Sequence, residues 1–293
     1  MHLMTIADYL GRAKILYHGT DVHLPKKWDW WCEQLGPDRR FVDVTAEEVD
    51  ECISKLMSST KRTYRRGIGV VVGSKQMAPG TVNKYIAGLG QAYKLLKLHR
   101  LLPRSFTSPI VRGMLLPLYN ARTLQVSLED VHRLVAAARG SQNRRLAALI
   151  AVACTTGLRR GNIVGLRWKD VDLERRTIDV ARTKNGTPMR SVMPLWVSAE
   201  LTVIAPATPD PEAPVFGTSD FKRAWASTVK RAGLPETWTF HSCRHIAASI
   251  LAQSGASLPT IMSVLNHKTA SMGLRYTHLN TRSIDEAMTK AWS

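Results

Sequence analysis

Four short segments in the second half of the chain carry side chains able to hold an anion and move protons. Arg159 follows the glycine and leucine that close the apolar run LAALIAVACTTGL. From such a junction a guanidinium can project into a cleft, and a surface ion pair is the ordinary alternative. Lys184 stands immediately before the Asn185-Gly186 pair, where a long amine is usually just solvated, so alone it carries no assignment. His241 and Arg244 lie three apart at the start of HSCRHIAASILAQSG. On a helix they share a face and present a proton carrier and a fixed cationic fork to one ligand. His267 precedes Tyr276 by nine positions in LNHKTASMGLRYTHL. Singly, one reads as a satisfied structural histidine and the other as a buried aromatic with a bonded hydroxyl.

The elements that must position these residues are mainly helical. In the first part, Thr45 and Glu48 have the spacing of a capping box opening AEEVDECISKLMSS. A second helix is expected from Thr81, with Val82, Tyr85, Ile86, Leu89, Tyr93 and Leu96 on one face. Lys84 and Lys94 fall elsewhere around it, where they could meet phosphates. Between these helices KRTYRRGIGVVVGSKQMAPG reads as a loop or short ribbon. Its Lys61, Arg62, Arg65 and Arg66 are either phosphate contacts or a solvated charged surface. Residues 103–126 have prolines and little periodicity and read as a linker, so we place one domain at 1–120 and a second at 124–293. Ser127 opens the helix SLEDVHRLVAAA, and RTIDVARTKNGTPMRSVMPL reads as a hairpin on its Asn-Gly turn, with Arg182 near the tip. Helices resume after the proline-rich stretch 205–214. The last segment, SIDEAMTKAWS, has a capping box at Ser283 and Glu286 and an apolar face through Ile284, Ala287 and Met288.

Composition narrows the partner. The 293 residues are 44% hydrophobic, which excludes a disordered chain. Lysine and arginine outnumber aspartate and glutamate by 41 to 23, a net +18 that both halves share. So large an excess implies a polyanion, and without an apolar run of membrane-spanning length nucleic acid is favoured over a membrane. MHLMTIADYLGRAKIL lacks the apolar core of a secretory signal, so a cytoplasmic, nucleoid-associated protein is expected. Four cysteines lie far apart with no paired spacing, so neither a zinc site nor a disulfide framework is expected.

The ordered set Arg159, Lys184, His241-x-x-Arg244, His267 and Tyr276, in the contexts TTGLR, HSCRHIAAS, LNHK and RYTH, resembles the tyrosine recombinase, or phage integrase, family across residues 124–293. The resemblance implies a mainly α fold with a small β-sheet or hairpin in the catalytic domain. It also implies a preceding helical core-binding (SAM-like) domain, the two closing on duplex DNA as a C-shaped clamp. The start of the chain is expected to be too short for the additional arm-binding domain of some large phage integrases.

By that resemblance Tyr276 is the nucleophile of a 3′-phosphotyrosine intermediate, and Arg159, Arg244 and His267 bind the phosphate. Lys184 is the acid for the departing 5′ oxygen, and His241 accepts the Tyr276 proton. Two guanidiniums suit the task, since each can give paired hydrogen bonds to phosphate oxygens and neither loses its charge at neutral pH. Arg182 is a further DNA contact or a partial substitute for Lys184. No cofactor or metal is implied, because the phosphotyrosine keeps the energy of the cut bond. The implied partners are paired double-stranded recombination sites, a tetramer assembled on them, and accessory DNA-bending proteins; the C-terminal helix either docks on a neighbouring protomer of that tetramer or packs on its own domain. Integration and excision of a phage or mobile element is the leading reading. The alternatives are dimer resolution of chromosomes or plasmids, a type IB topoisomerase, and an inactive DNA-binding protein. One position departs from the family pattern: Asn162 stands where many relatives have an acidic residue three after the first arginine.

Overall fold

The computed structural model describes residues 4–65, 69–118, 126–181, 183, 186–217, 221–274, 276 and 288–289. The chain divides into two compact units, Met1–Asn120 and Ala121–Ser293. Among the described residues no helix is long and apolar enough to cross a membrane.

The first unit packs helices α1 (Ile6–Leu16), α2 (Leu24–Leu35), α3 (Ala46–Ser58) and α4 (Pro79–Leu98) around an aromatic core. The expected capping box opens α3, with the Glu48 N–H on the Thr45 hydroxyl at 3.3 Å and the Thr45 N–H on the Glu48 carboxylate at 3.0 Å. Helix α4 starts two residues before the expected Thr81, because Pro79 occupies the first turn, where a missing N–H leaves no bond unmade. Val82, Ile86, Leu89, Tyr93 and Leu96 are buried as their spacing requires, while Lys84 and Lys94 are exposed. Trp28 and Trp31 of α2 are fully buried, their indole N–H groups donating to the carbonyls of Gly88 at 2.7 Å and Tyr85 at 2.9 Å. The approach is close enough that a Cβ at Gly88 would meet Leu24 at 3.1 Å.

The basic stretch between α3 and α4 is a ribbon rather than a loop. Strands β1 (Thr60–Arg65) and β2 (Gly69–Gln76) pair antiparallel, Arg62 opposite Val72 and Arg65 opposite Gly69, with a register shift between Thr60 and Arg62. The valine run 70–72 supplies the β-branched residues that suit a paired strand. Lys61, Arg62 and Arg65 are therefore strand residues, whereas Arg66 lies outside the described residues. The stretch read as a linker is, up to residue 118, held against α4: Asn83 exchanges two 2.9 Å hydrogen bonds with the Leu116 backbone.

The second unit is built on α6 (Leu146–Thr156), which is apolar on every side and buried along nearly its whole length. It packs against α5 (Leu128–Arg139), α8 (Leu195–Ile204) and α10 (Ser242–Gln253), with the short α7 (Arg160–Val164) following it and α9 (Lys222–Arg231) on α5. Ser127 caps α5 through Asp130. The expected hairpin is present as β4 (Thr177–Val180) and β5 (Met189–Val192), and β3 (Val171–Asp172) joins it to make an antiparallel sheet in the order β3-β4-β5. That third strand has two residues, too few to show an alternating pattern. Helices α11 (Leu258–Leu265) and α12 (Ala270–Gly273) complete the described part. Most of the expected C-terminal helix, 281–287 and 290–293, lies outside the described residues.

Candidate active site

Helix α6 ends at Gly157, whose left-handed φ of 61° an L side chain rarely adopts. A Cβ there would also meet Leu265 at 2.5 Å, so the position requires glycine on two counts. Its carbonyl then receives a hydrogen bond from Arg244, whose other terminal nitrogen donates to the carbonyl of Leu265 at the end of α11. Arg244 is thus a buried fork that holds the ends of two helices together, and Arg159 caps the start of α7 two residues after Gly157.

Burial first, and the neighbouring positive charge of Arg159 second, depress the Arg244 guanidinium to about 10, while Tyr276 works in the opposite direction. It remains charged at neutral pH. These influences place Arg159 and Tyr276 within electrostatic reach of Arg244, and they describe a crowded positive site that an anion would relieve.

Tyr276 is buried at 7% exposure, in an apolar cluster with Ala248, Ala252, Ile261 and Leu265. Its hydroxyl lies 2.6 Å from Nδ1 of His245. The His245 ring is met edge-on by that of His241, 5.4 Å away, as their separation of four on α10 dictates. Sequence reasoning assigned His241 and passed over His245, although the i,i+4 relation and adjacency to Arg244 were both visible.

His267 follows Asn266, the left-handed cap of α11 at φ 49°, and donates its backbone N–H to Met262 at 2.9 Å. This puts His267 two residues beyond the Leu265 carbonyl that Arg244 holds. The Asn266 amide nitrogen reaches the hydroxyls of Thr183 and Thr187, both at 3.3 Å. These threonines close the tip of the β4–β5 connection: the Thr183 hydroxyl donates to the Thr187 carbonyl at 2.9 Å, and the Gly186 N–H donates to the Thr183 carbonyl at 2.9 Å. Lys184, like Arg182, lies outside the described residues, while Thr183 just before it and Thr187 three residues after it are tied to the segment carrying His267.

Asn266→Gly removes that amide and keeps the left-handed backbone. We expect exchange of the Thr183 and Gly186 amide hydrogens to quicken about tenfold, the equivalent of one lost hydrogen bond, with the melting temperature nearly unchanged. Unchanged exchange would show that the amide does not hold the turn.

The structure brings together Arg159, Arg244 and Tyr276, with His241 and His245 on the helix that carries Arg244. Among the described residues no three His, Cys, Asp or Glu side chains converge to hold a metal ion. Of the candidate DNA contacts of the first unit, Lys61, Arg62 and Arg65 lie on β1 and Lys84 and Lys94 on the exposed side of α4.

The chain resembles known proteins in sequence and in fold. The chain is 28% identical over 160 residues to the integrase of Salmonella phage P22, covering 48% of this chain and 41% of that protein. It is 30% identical over 139 residues to the shufflon-specific DNA recombinase of Escherichia coli, covering 47% and 36%. It therefore spans less than half the length of either relative. Its fold matches that of the Tn1549 transposon integrase solved in complex with a circular-intermediate DNA, with a TM-score of 0.71 at 16% identity over 98% of this chain and 99% of that one. The model of the phage integrase family matches residues 125–283, the stretch that holds every residue of the site just described, and the chain belongs to that family.

Proposed function

We propose that this protein is a site-specific DNA recombinase that cuts and rejoins strands through a 3′-phosphotyrosine bond on Tyr276, serving integration and excision of a phage or other mobile element. The supporting observation is the convergence of two arginines and a histidine-bonded phenol on one site. The relatives named integrase and DNA recombinase, and the DNA-bound integrase of like fold, support it further.

The chemistry follows from charge. In-line displacement at a phosphodiester gathers negative charge on the non-bridging oxygens, and fixed donors aimed there stabilise it most. Arg159 and Arg244 supply that charge, with His267 as a further donor. Arg244 spends one N–H of each terminal nitrogen on a carbonyl, which fixes the plane of the fork and leaves its other N–H groups for phosphate. Lys184 protonates the departing 5′ oxygen. His241 stays within one ring of the phenol, and Asn162 takes the place of the usual acid by accepting a hydrogen bond. Double-stranded recombination sites are the substrate, bound by both units, and a tetramer held through the C-terminal segment pairs two of them, assisted by DNA-bending proteins.

A duplex nicked near the cut, which traps the cleaved state, tests this reading. The native chain is expected to become covalently attached to DNA. Absence of an adduct across salt and pH would identify a binding module instead. Relaxation of plasmids lacking any special site, without strand exchange, would identify a topoisomerase.

The first unit's share in binding is separately measurable. Each phosphate contact contributes about 0.9 to the slope of log affinity against log salt. Replacing exposed Lys84 and Lys94 by alanine should therefore lower that slope by about 2 in anisotropy titrations on duplex DNA. An unchanged slope would place both lysines away from the DNA.

A further inference from the structure

We propose that His245, not His241, takes the proton from Tyr276 as the phenol attacks phosphorus, a role that rests on the reading of Tyr276 as the nucleophile. The hydroxyl and Nδ1 are 2.6 Å apart, already at proton-transfer distance. With the phenol donating, Nδ1 is the acceptor and Nε2 carries the ring hydrogen. His241 is exposed at the head of the helix and meets the His245 ring edge-on at 5.4 Å. It is one ring farther from the reacting oxygen.

Tyr276 belongs to an apolar cluster with Ala248, Ala252, Ile261 and Leu265, so ionisation of its phenol calls for a fixed polar neighbour to receive the proton. Moving it onto His245 adds a positive charge on the residue next in sequence to Arg244, in a site that is already positive and that a bound phosphate would relieve. The step balances without a further reagent. The Tyr276 O–H bond breaks as Nδ1 gains the hydrogen, the oxygen–phosphorus bond forms, and the bond to the 5′ oxygen breaks as that oxygen takes a proton from Lys184. Rejoining runs the same transfers backward, with His245 returning the proton to the leaving phenol.

Rates of covalent attachment to a nicked duplex test the assignment. A general base commonly contributes about a hundredfold or more, so His245→Ala should slow attachment by about that factor, with added imidazole restoring about tenfold. His245→Gln, which preserves volume and a hydrogen-bond acceptor but cannot carry the proton, should stay slow while melting like the native chain. A substrate with sulfur in place of the 5′ oxygen separates the two ends of the reaction, because a thiolate leaves without a proton. It should restore Lys184→Ala and leave His245→Ala slow.

His245→Ala within about threefold of the native rate would overturn the proposal. So would native attachment by His245→Gln, or recovery of His245→Ala on the sulfur substrate. Failure of the native chain to form any adduct would instead remove Tyr276 as nucleophile.

Discussion

Tyr276→Phe is expected to bind duplex DNA with native affinity and to form no covalent adduct, while remaining folded. The ring keeps its place in the apolar cluster with Ala248, Ala252, Ile261 and Leu265, so the apolar burial is unchanged. What is lost is the hydroxyl and its 2.6 Å bond to His245. One such bond is worth about 1 kcal/mol net, so thermal unfolding should shift by only a few degrees. Attachment, by contrast, should vanish, because no other atom can take the place of the missing oxygen. Gel mobility under denaturing conditions and a melting curve on the same sample separate the two effects. An adduct formed by the phenylalanine variant would assign the nucleophile to another residue.

Arg244→Ala should be damaging twice over. The guanidinium donates to the buried carbonyls of Gly157 and Leu265, and its removal strands both. A stranded buried polar group costs about 1–3 kcal/mol, so the second unit should melt at a visibly lower temperature. Loss of the charge from the phosphate site should lower cleavage by about a hundredfold or more. Arg159→Ala should lower cleavage to a similar degree without that loss of stability. Arg159 is half-buried, and its charge is one of the influences that hold Arg244 at about 10.

The sign of that influence can be followed with pH. The folded guanidinium binds its proton less tightly than the unfolded one, so the penalty is full below about 10 and fades as pH rises from there toward the ordinary arginine range. Removing Arg159 should lessen the penalty at neutral pH. A phosphate group seated at the site does the same by compensation, which is why the arginine pair favours an anionic ligand. Near-native cleavage by either arginine variant would remove that arginine from the site, and equal destabilisation by both would show that the Arg244 carbonyl bonds carry no special weight.

Much of this was legible from local pattern. The Thr45–Glu48 and Ser127–Asp130 caps, the buried stripe of α4 and the Asn-Gly hairpin all rest on residues two to four apart, and their spacing alone specifies the interaction. The order of the arginines, histidines and tyrosine was legible in the same way, as a resemblance. The β1–β2 ribbon was half legible, because a basic run followed by glycines and valines suits either a loop or paired strands until a partner is in view.

What the sequence determined by itself, then, is the set of chemical groups and the helices and hairpin that carry them. Tertiary structure decided which groups meet. Arg244 finds Gly157 across 87 positions, His245 finds Tyr276 across 31, and Asn266 finds Thr183 across 83. Helical and strand periodicities have a range of a few residues, so no period in the sequence encodes contacts at such separations. They arise only when α6 and α11 both pack on α10 and the ends of α6 and α11 meet at Arg244.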